Sequence, residues 1–129
     1  MSVVAEDFIE VAKRLLESDA SEINQRNSSS RAYYAAFHLA HRAVDLCPDN
    51  SHLKMGSHER LSDRYSSHPT RAAKGISYVL QSMKRYRNSA DYEINDPFDS
   101  HIATNLIAQF ESLSEKLAEF EAANRPKLA

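Results

Sequence analysis

Residues 102–120 read IATNLIAQFESLSEKLAEF, and the spacing of their apolar side chains decides the fold. Ile102, Leu106, Phe110, Leu113, Leu117 and Phe120 recur at steps of four and three, the period of one helix face. The stripe is nearly a clean heptad seam. A seam of that length must bury against other helices or against a second copy of itself. Asp96-Pro97 upstream is a helix start signal, so the last helix is expected over Pro97–Ala122.

Working outward from this seam, three more helices and a short one are expected. The first covers Val4–Ser18, with a stripe of Val4, Phe8, Val11/Ala12 and Leu15 and with Glu6 and Asp7 in its first turn. The second covers Ser28–Cys47, with Ser28, Ser29 and Ser30 offering N-cap oxygens and Pro48-Asp49-Asn50 ending it. Its apolar stripe is Tyr33, Ala36/Phe37, Ala40 and Val44. A polar stripe of Arg31, Tyr34, His38, His41/Arg42 and Asp45 shares another face. After a polar connector from Cys47 to Gly56, a short helix covers Ser57–Ser66, with Leu61 and Tyr65 inward. The fourth covers Pro69–Ala90, with Pro69 at a first helical position. Its stripe of Ala72, Ile76, Val79/Leu80 and Met83 continues into Arg87, a cation that either snorkels or is held partly buried for a reason.

Composition agrees. Only 2 Gly and 4 Pro occur in 129 residues. A sheet protein needs turn residues at roughly every tenth position, whereas a few long helices need very few. The length suits one all-α domain, a bundle of four to five helices over residues 1–123, with 124–129 a frayed tail. Net charge is −2 with the signs interspersed, so any phosphate contact must come from a local patch. The local cations are Arg60/Arg64, Arg71, Lys74, Lys84, Arg85 and Arg87. Cys47 stands alone and reads as a small apolar residue at a helix end. No signal peptide pattern opens the chain, and no apolar run approaches a membrane span; a cytoplasmic protein with no membrane partner is expected.

The stretch Arg85-Tyr86-Arg87-Asn88-Ser89-Ala90-Asp91-Tyr92 crowds two cations, an amide, a carboxylate and two phenols at one helix end. Two readings are open. Arg85 and Arg87 could grip phosphates, with Asn88 and Tyr92 on a sugar or an unpaired base. The stretch could equally be an ordinary C-terminus, where cations suit the helix dipole. His38 and His41 are three apart, but the position where a helical metal site needs Glu holds Ala35, so no metal or other cofactor is expected. His58 reads as a cap or groove residue; His52, His68 and His101 read as solvated. No nucleophile elbow or Gly-rich phosphate loop occurs.

The segment Ser30-Arg31-Ala32-Tyr33-Tyr34-Ala35-Ala36-Phe37-His38 resembles the Ser-Arg-x-Tyr-Tyr-Ala-x-Phe-His signature of a bacterial subfamily of HEPN domains. Arg87-Asn88-Ser89-Ala90-Asp91-Tyr92 is similar to the Arg-Asn-x-Ala-Asp-Tyr ending of the same subfamily. Gly56-Ser57-His58 sits where those proteins often have Thr/Ser-His. The resemblance implies a helical bundle paired as a homodimer, working with RNA or a partner protein in a toxin–antitoxin or phage-defence-like module. In catalytic members an Arg-Asn-x-x-x-His motif from each subunit cleaves RNA. Arg87 and Asn88 match that motif, and Tyr92 stands where it has His. A phenol, with a reference pKa of about 10 against about 6.5 for imidazole, shuttles protons poorly at neutral pH. The register starting at Arg85 places Ala90 there. Where toxin members carry the Tyr that a partner nucleotidyltransferase modifies, this chain has Ile94. The resemblance therefore implies binding through Arg31, Tyr34, His38, Arg85, Arg87, Asn88, Asp91 and Tyr92. Candidates for any residual catalysis are Arg87, with His58 as substitute proton shuttle.

Overall fold

The computed structural model describes residues 2–126, and these are helical with no strand. Five α-helices follow in order: α1 Ala5–Ser18, α2 Glu22–His41, α3 Ser57–Ser66, α4 Arg71–Tyr92 and α5 His101–Asn124. A single 3-10 turn, Val44–Leu46, follows α2. The helix α2 is central, packing against α1, α4 and α5, while α3 packs chiefly on α4. Ala32, Ala35, Ala36, Ala40 and Ala43 on or just after α2 are fully buried, and their small side chains let neighbouring helices come close. No helix among the described residues is long and apolar enough to cross a membrane.

The seam of α5 buries as its spacing requires. Ala103, Leu106, Phe110, Leu113, Leu117 and Phe120 face the core, and Ile102 is half-buried. These side chains are covered by the chain's own helices, so no second copy is needed to cover the seam. Pro97 lies ahead of α5 rather than in it; the Asp99 carboxylate accepts from the His101 amide at 2.8 Å and starts the helix. At the other end α5 includes Asn124, and Arg125 is held by the Asp45 carboxylate at 3.0 and 3.2 Å. Of the expected frayed tail, Asn124 is thus helical and Arg125 ion-paired, and residues 127–129 lie outside the described ones.

Three local expectations change. First, α2 starts at Glu22. Ser21 accepts from the Asn24 amide, and the Asp19 carboxylate accepts from the Ser21 amide at 2.9 Å. Ser28 and Ser29 are buried inside the helix, and neither caps it. Ser28 donates to the Ala12 carbonyl of α1 at 2.7 Å, and Ser29 donates back to the Gln25 carbonyl at 2.9 Å. A hydroxyl satisfied this way packs like a small core residue. Second, α1 buries Ala5, Ile9 and Ala12 while Val4 and Val11 stay exposed, because the smaller face lets α2 approach. On α4 the same logic buries Ala73 in place of Ala72, and Thr70 caps the Ala73 amide, with Pro69 outside the helix. Third, His68 is buried against Phe120, ring centroids 5.0 Å apart, and its Nδ1 accepts from the Thr70 amide at 3.2 Å. Cys47 is buried, and burial pushes its thiol up to about 11, which makes it inert.

The end of α4 is tied down by a residue with no sequence signature. Arg26 of α2 is 5% exposed. Its Nη1 donates to the carbonyls of Ser89, Ala90 and Glu93 at 3.1, 3.1 and 3.3 Å, and its Nη2 reaches those of Glu93 and Asp96 at 3.3 and 2.7 Å. The Phe98 ring covers the guanidinium at 5.0 Å. The Ala90 carbonyl is one that a helix C-terminus leaves open, the Asp96 carbonyl lies just beyond that end, and the cation suits the negative end of the dipole. Replacing Arg26 with Leu should lower the unfolding free energy by about 3 kcal/mol, because the Ala90 and Asp96 carbonyls lose their donor while those of Ser89 and Glu93 keep the amides of Glu93 and Asp96. Urea denaturation reads this directly, and a midpoint equal to the parent's would reject the clamp.

Candidate functional site

Helical spacing places Ser30, Tyr34, Phe37 and His41 on one face of α2, with Arg31 and His38 flanking it. Two other elements meet this face: His58 from the first turn of α3, and Arg87 and Asp91 from the last turns of α4. Phe37 is the hub, with the imidazoles of His38, His41 and His58 at 5.4, 4.8 and 4.6 Å from its ring. From α1, Phe8 packs on His38 at 4.9 Å.

Arg87 is 5% exposed. Its guanidinium carbon lies 5.3 Å from the Tyr33 ring, 5.4 Å from Tyr34 and 5.8 Å from Tyr92. Such faces attract a desolvated cation. One carboxylate helps: Asp91 Oδ2 stands 3.6 Å from Arg87 Nη1 and also accepts from Ser30 Oγ at 3.1 Å. The Arg87 Nε is buried without a partner. Arg31 approaches the same Tyr34 ring at 5.2 Å and also covers Phe8 at 5.8 Å. The site therefore gathers two guanidiniums and three imidazoles around aromatic rings, with Asp91 the carboxylate bonded to it.

The electrostatics follow from that imbalance. Tyr33 Oη and His58 Nδ1 share a hydrogen bond of 2.6 Å, and burial pushes the Tyr33 phenol above its ordinary value. The protonated phenol can donate to a bare Nδ1 or accept from Nδ1–H, so the imidazole tautomer sets the direction. Burial first, then Arg87 and Lys84, then His38 and His41, hold His58 below its usual pKa. His41 is lowered by burial, by His38 and by Arg64. Neutral imidazoles at pH 7 suit stacking and hydrogen bonding, and each can gain charge on acidification.

Of the residues singled out from sequence, Arg31, Tyr34, His38, His58, Arg87 and Asp91 are brought together. Tyr92 is 73% exposed at the rim, within reach of Arg87. Arg85 and Asn88 do not join them: with Glu59, Asp63 and Lys84 they line a separate groove between α3 and α4. Arg85 and Arg87 are two residues apart, which on a helix turns them about 200° from one another, so they cannot grip one phosphate. His38 and His41 both lie against Phe37, and among the described residues no three His, Cys, Asp or Glu could hold a metal. Tyr33, Phe37 and Ser30 belong to the site although the sequence assigned them to core and cap. The signal that could have found them is the recurrence of aromatic and imidazole side chains at helical spacing, at positions 33, 34, 37, 38 and 41. Comparison with protein-family models, with curated proteins and with solved structures finds no match to this chain.

The lowered imidazoles give a pH signature. As pH falls through about 6.5, the unfolded chain takes up protons that His41 and His58 refuse in the fold. Their contribution to stability is whole above that pH and is lost as pH falls toward their lowered folded values. Melting temperature should therefore drop between pH 7.5 and 5.5, and His58→Leu should flatten the slope. Melts followed by circular dichroism check this; an equal slope in parent and variant would refute it.

Proposed function

We propose that this chain is a HEPN-type domain that binds single-stranded RNA on the aromatic, cationic face of α2, α3 and α4 without cutting it. The observation that carries the reading is Arg87: a guanidinium almost wholly out of water, paired with the Asp91 carboxylate at 3.6 Å, whose Nε is left without an acceptor. A buried donor without an acceptor favours an anionic oxygen nearby. Arg31, half-buried and bonded only to Ser30 Oγ at 3.4 Å, adds a second charge at the rim. Tyr34, His38 and Tyr92 offer rings on which unpaired bases stack, and stacking with backbone cations is how single strands are held.

Cleavage by acid–base chemistry needs one group to take a proton and another to give one. The position that the resembling motif reserves for His holds Tyr92, and the Nδ1 of His58 is tied to Tyr33. The domain accordingly holds RNA rather than hydrolysing it. It works in the cytoplasm as a homodimer, within a toxin–antitoxin or phage-defence-like module that includes a nucleotidyltransferase-type partner.

A second reading has one observation in its favour. Ser30, Asp91 and Arg87 form a chain of contacts between α2 and α4, which suits a purely structural or oligomerisation role. In that case Asp91→Ala lowers the melting temperature and no RNA binds.

Arg31→Ala separates the two, because Arg31 sits at the rim and its loss spares the core. Fluorescence anisotropy with a labelled RNA oligonucleotide should show roughly tenfold weaker binding, and the slope of log K against log salt should shrink by about one. The RNA should remain full length after long incubation with the parent. Superimposable titrations of variant and parent would end the RNA reading, and shortened products would end the claim that it does not cut.

A further inference from the structure

A groove of about 450 Å³ opens between α3 and α4. Its α3 wall carries Glu59, Ser62 and Asp63, and its α4 wall Lys84, Arg85 and Asn88. Within each wall these residues recur at steps of three and four, so each helix turns a whole polar face inward. At the closed end the helices touch, where Ser77 Oγ donates to the Ser62 carbonyl at 2.8 Å. Toward the open end an acidic wall faces a basic one, yet among the described residues neither Glu59 nor Asp63 forms an ion pair with Lys84 or Arg85. One oxygen of Asp63 accepts from Asn50 at 2.9 Å; the rest of the carboxylate set is free to accept from a ligand.

Opposed charges that stand apart define what fits between them. A carboxylate only accepts hydrogen bonds and repels phosphate, so the ligand must turn hydroxyl or amine donors toward α3. Lys84 and Arg85 require an anion on the α4 side. A ribonucleotide unit has both, a phosphate at one end and a 2′-hydroxyl donor near it, and carboxylates commonly recognise ribose hydroxyls. Lys84 joins the groove to the aromatic face, since its charge acts on His58, and Asn88 follows Arg87 directly in the chain. We infer that this groove seats one ribose and phosphate of the strand held on the aromatic face, and that Glu59 and Asp63 accept from the 2′-hydroxyl and so select RNA over DNA. The inference rests on the RNA reading above, but it has its own observable, since the 2′-hydroxyl is what distinguishes RNA from DNA at a site.

The experiment compares the affinities of an RNA and a DNA oligonucleotide of one sequence, with the full chain. The parent should prefer RNA by about tenfold, the worth of one hydrogen bond to a charged acceptor. Glu59→Gln, at an exposed position, should lower that ratio severalfold, because an amide oxygen accepts more weakly than a carboxylate, whatever it does to the common affinity for phosphates. Arg85→Ala should weaken both oligonucleotides alike and keep the ratio. Equal binding of RNA and DNA by the parent, or a ratio untouched by Glu59→Gln, overturns the inference and leaves the RNA reading standing. If no oligonucleotide binds, the RNA reading falls, and NMR titration with adenosine 5′-monophosphate and its 2′-deoxy form decides the groove. Shifts at Glu59, Arg85 and Asn88 that saturate at about tenfold lower concentration with the ribo form support it, and no shifts, or equal affinities for the two forms, overturn it.

Discussion

Keeping a guanidinium out of water is the constraint on which the rest of this structure turns. Removing an ion from water costs several kcal/mol unless its surroundings replace the lost solvation. For Arg87 the replacement is three tyrosine faces and the Asp91 carboxylate, and Asp91 is in turn fixed by Ser30. Tyr33, Tyr34 and Ser30 belong to α2, whereas Arg87, Asp91 and Tyr92 belong to α4. The cation is therefore satisfied only in one relative placement of the two helices. Arg26 acts one turn away in the same sense, since its fork on the carbonyls after Ser89 fixes where α4 ends. Two arginines of α2 and α4, each nearly buried, thus set the geometry in which the imidazoles of α2 and α3 gather around Phe37.

The charge balance shows how a slightly acidic chain gathers cations on one aromatic face. Net charge is −2, yet the described carboxylates pair mostly elsewhere: Glu6 with Arg42, Asp45 with Arg125, Glu111 with Lys13. These are exposed pairs worth little stability. What they do is leave the aromatic face with Asp91 as the carboxylate bonded to it, so that positive potential is concentrated where tyrosine and imidazole rings are also exposed.

The helices were legible because periodic burial leaves a periodic sequence. The seam of α5 and the stripe of α4 from Ile76 through Leu80 and Met83 into Arg87 were legible, and of the two readings open for Arg87 the buried one holds. Boundaries were less legible. Ser28 to Ser30 carry the residue type of a cap, but a serine bonded to a carbonyl serves the interior equally well, and residue type alone does not separate the two. Arg26 was invisible because its partners are backbone carbonyls sixty and more positions away, and a carbonyl has no residue type. Arg85 and Arg87 looked like one grip because adjacency in the chain hides opposite directions on a helix. The site was legible as a set of residues at helical spacing, but its aromatic lining was counted as core, since Tyr33 and Phe37 serve both.

That double service has a consequence for recognition. The face of α2 behind the rings is made of fully buried alanines, and the rings are cross-braced by His58 and Arg87. Tyr33, Tyr34 and Phe37 thus have few alternative rotamers to lose. The disorder that flexible binding surfaces must surrender when a ligand lands was already surrendered when the chain folded. A surface of this kind is preorganised: for any ligand it takes, selectivity would be set by shape before contact, and changes to the alanines behind it would alter that shape.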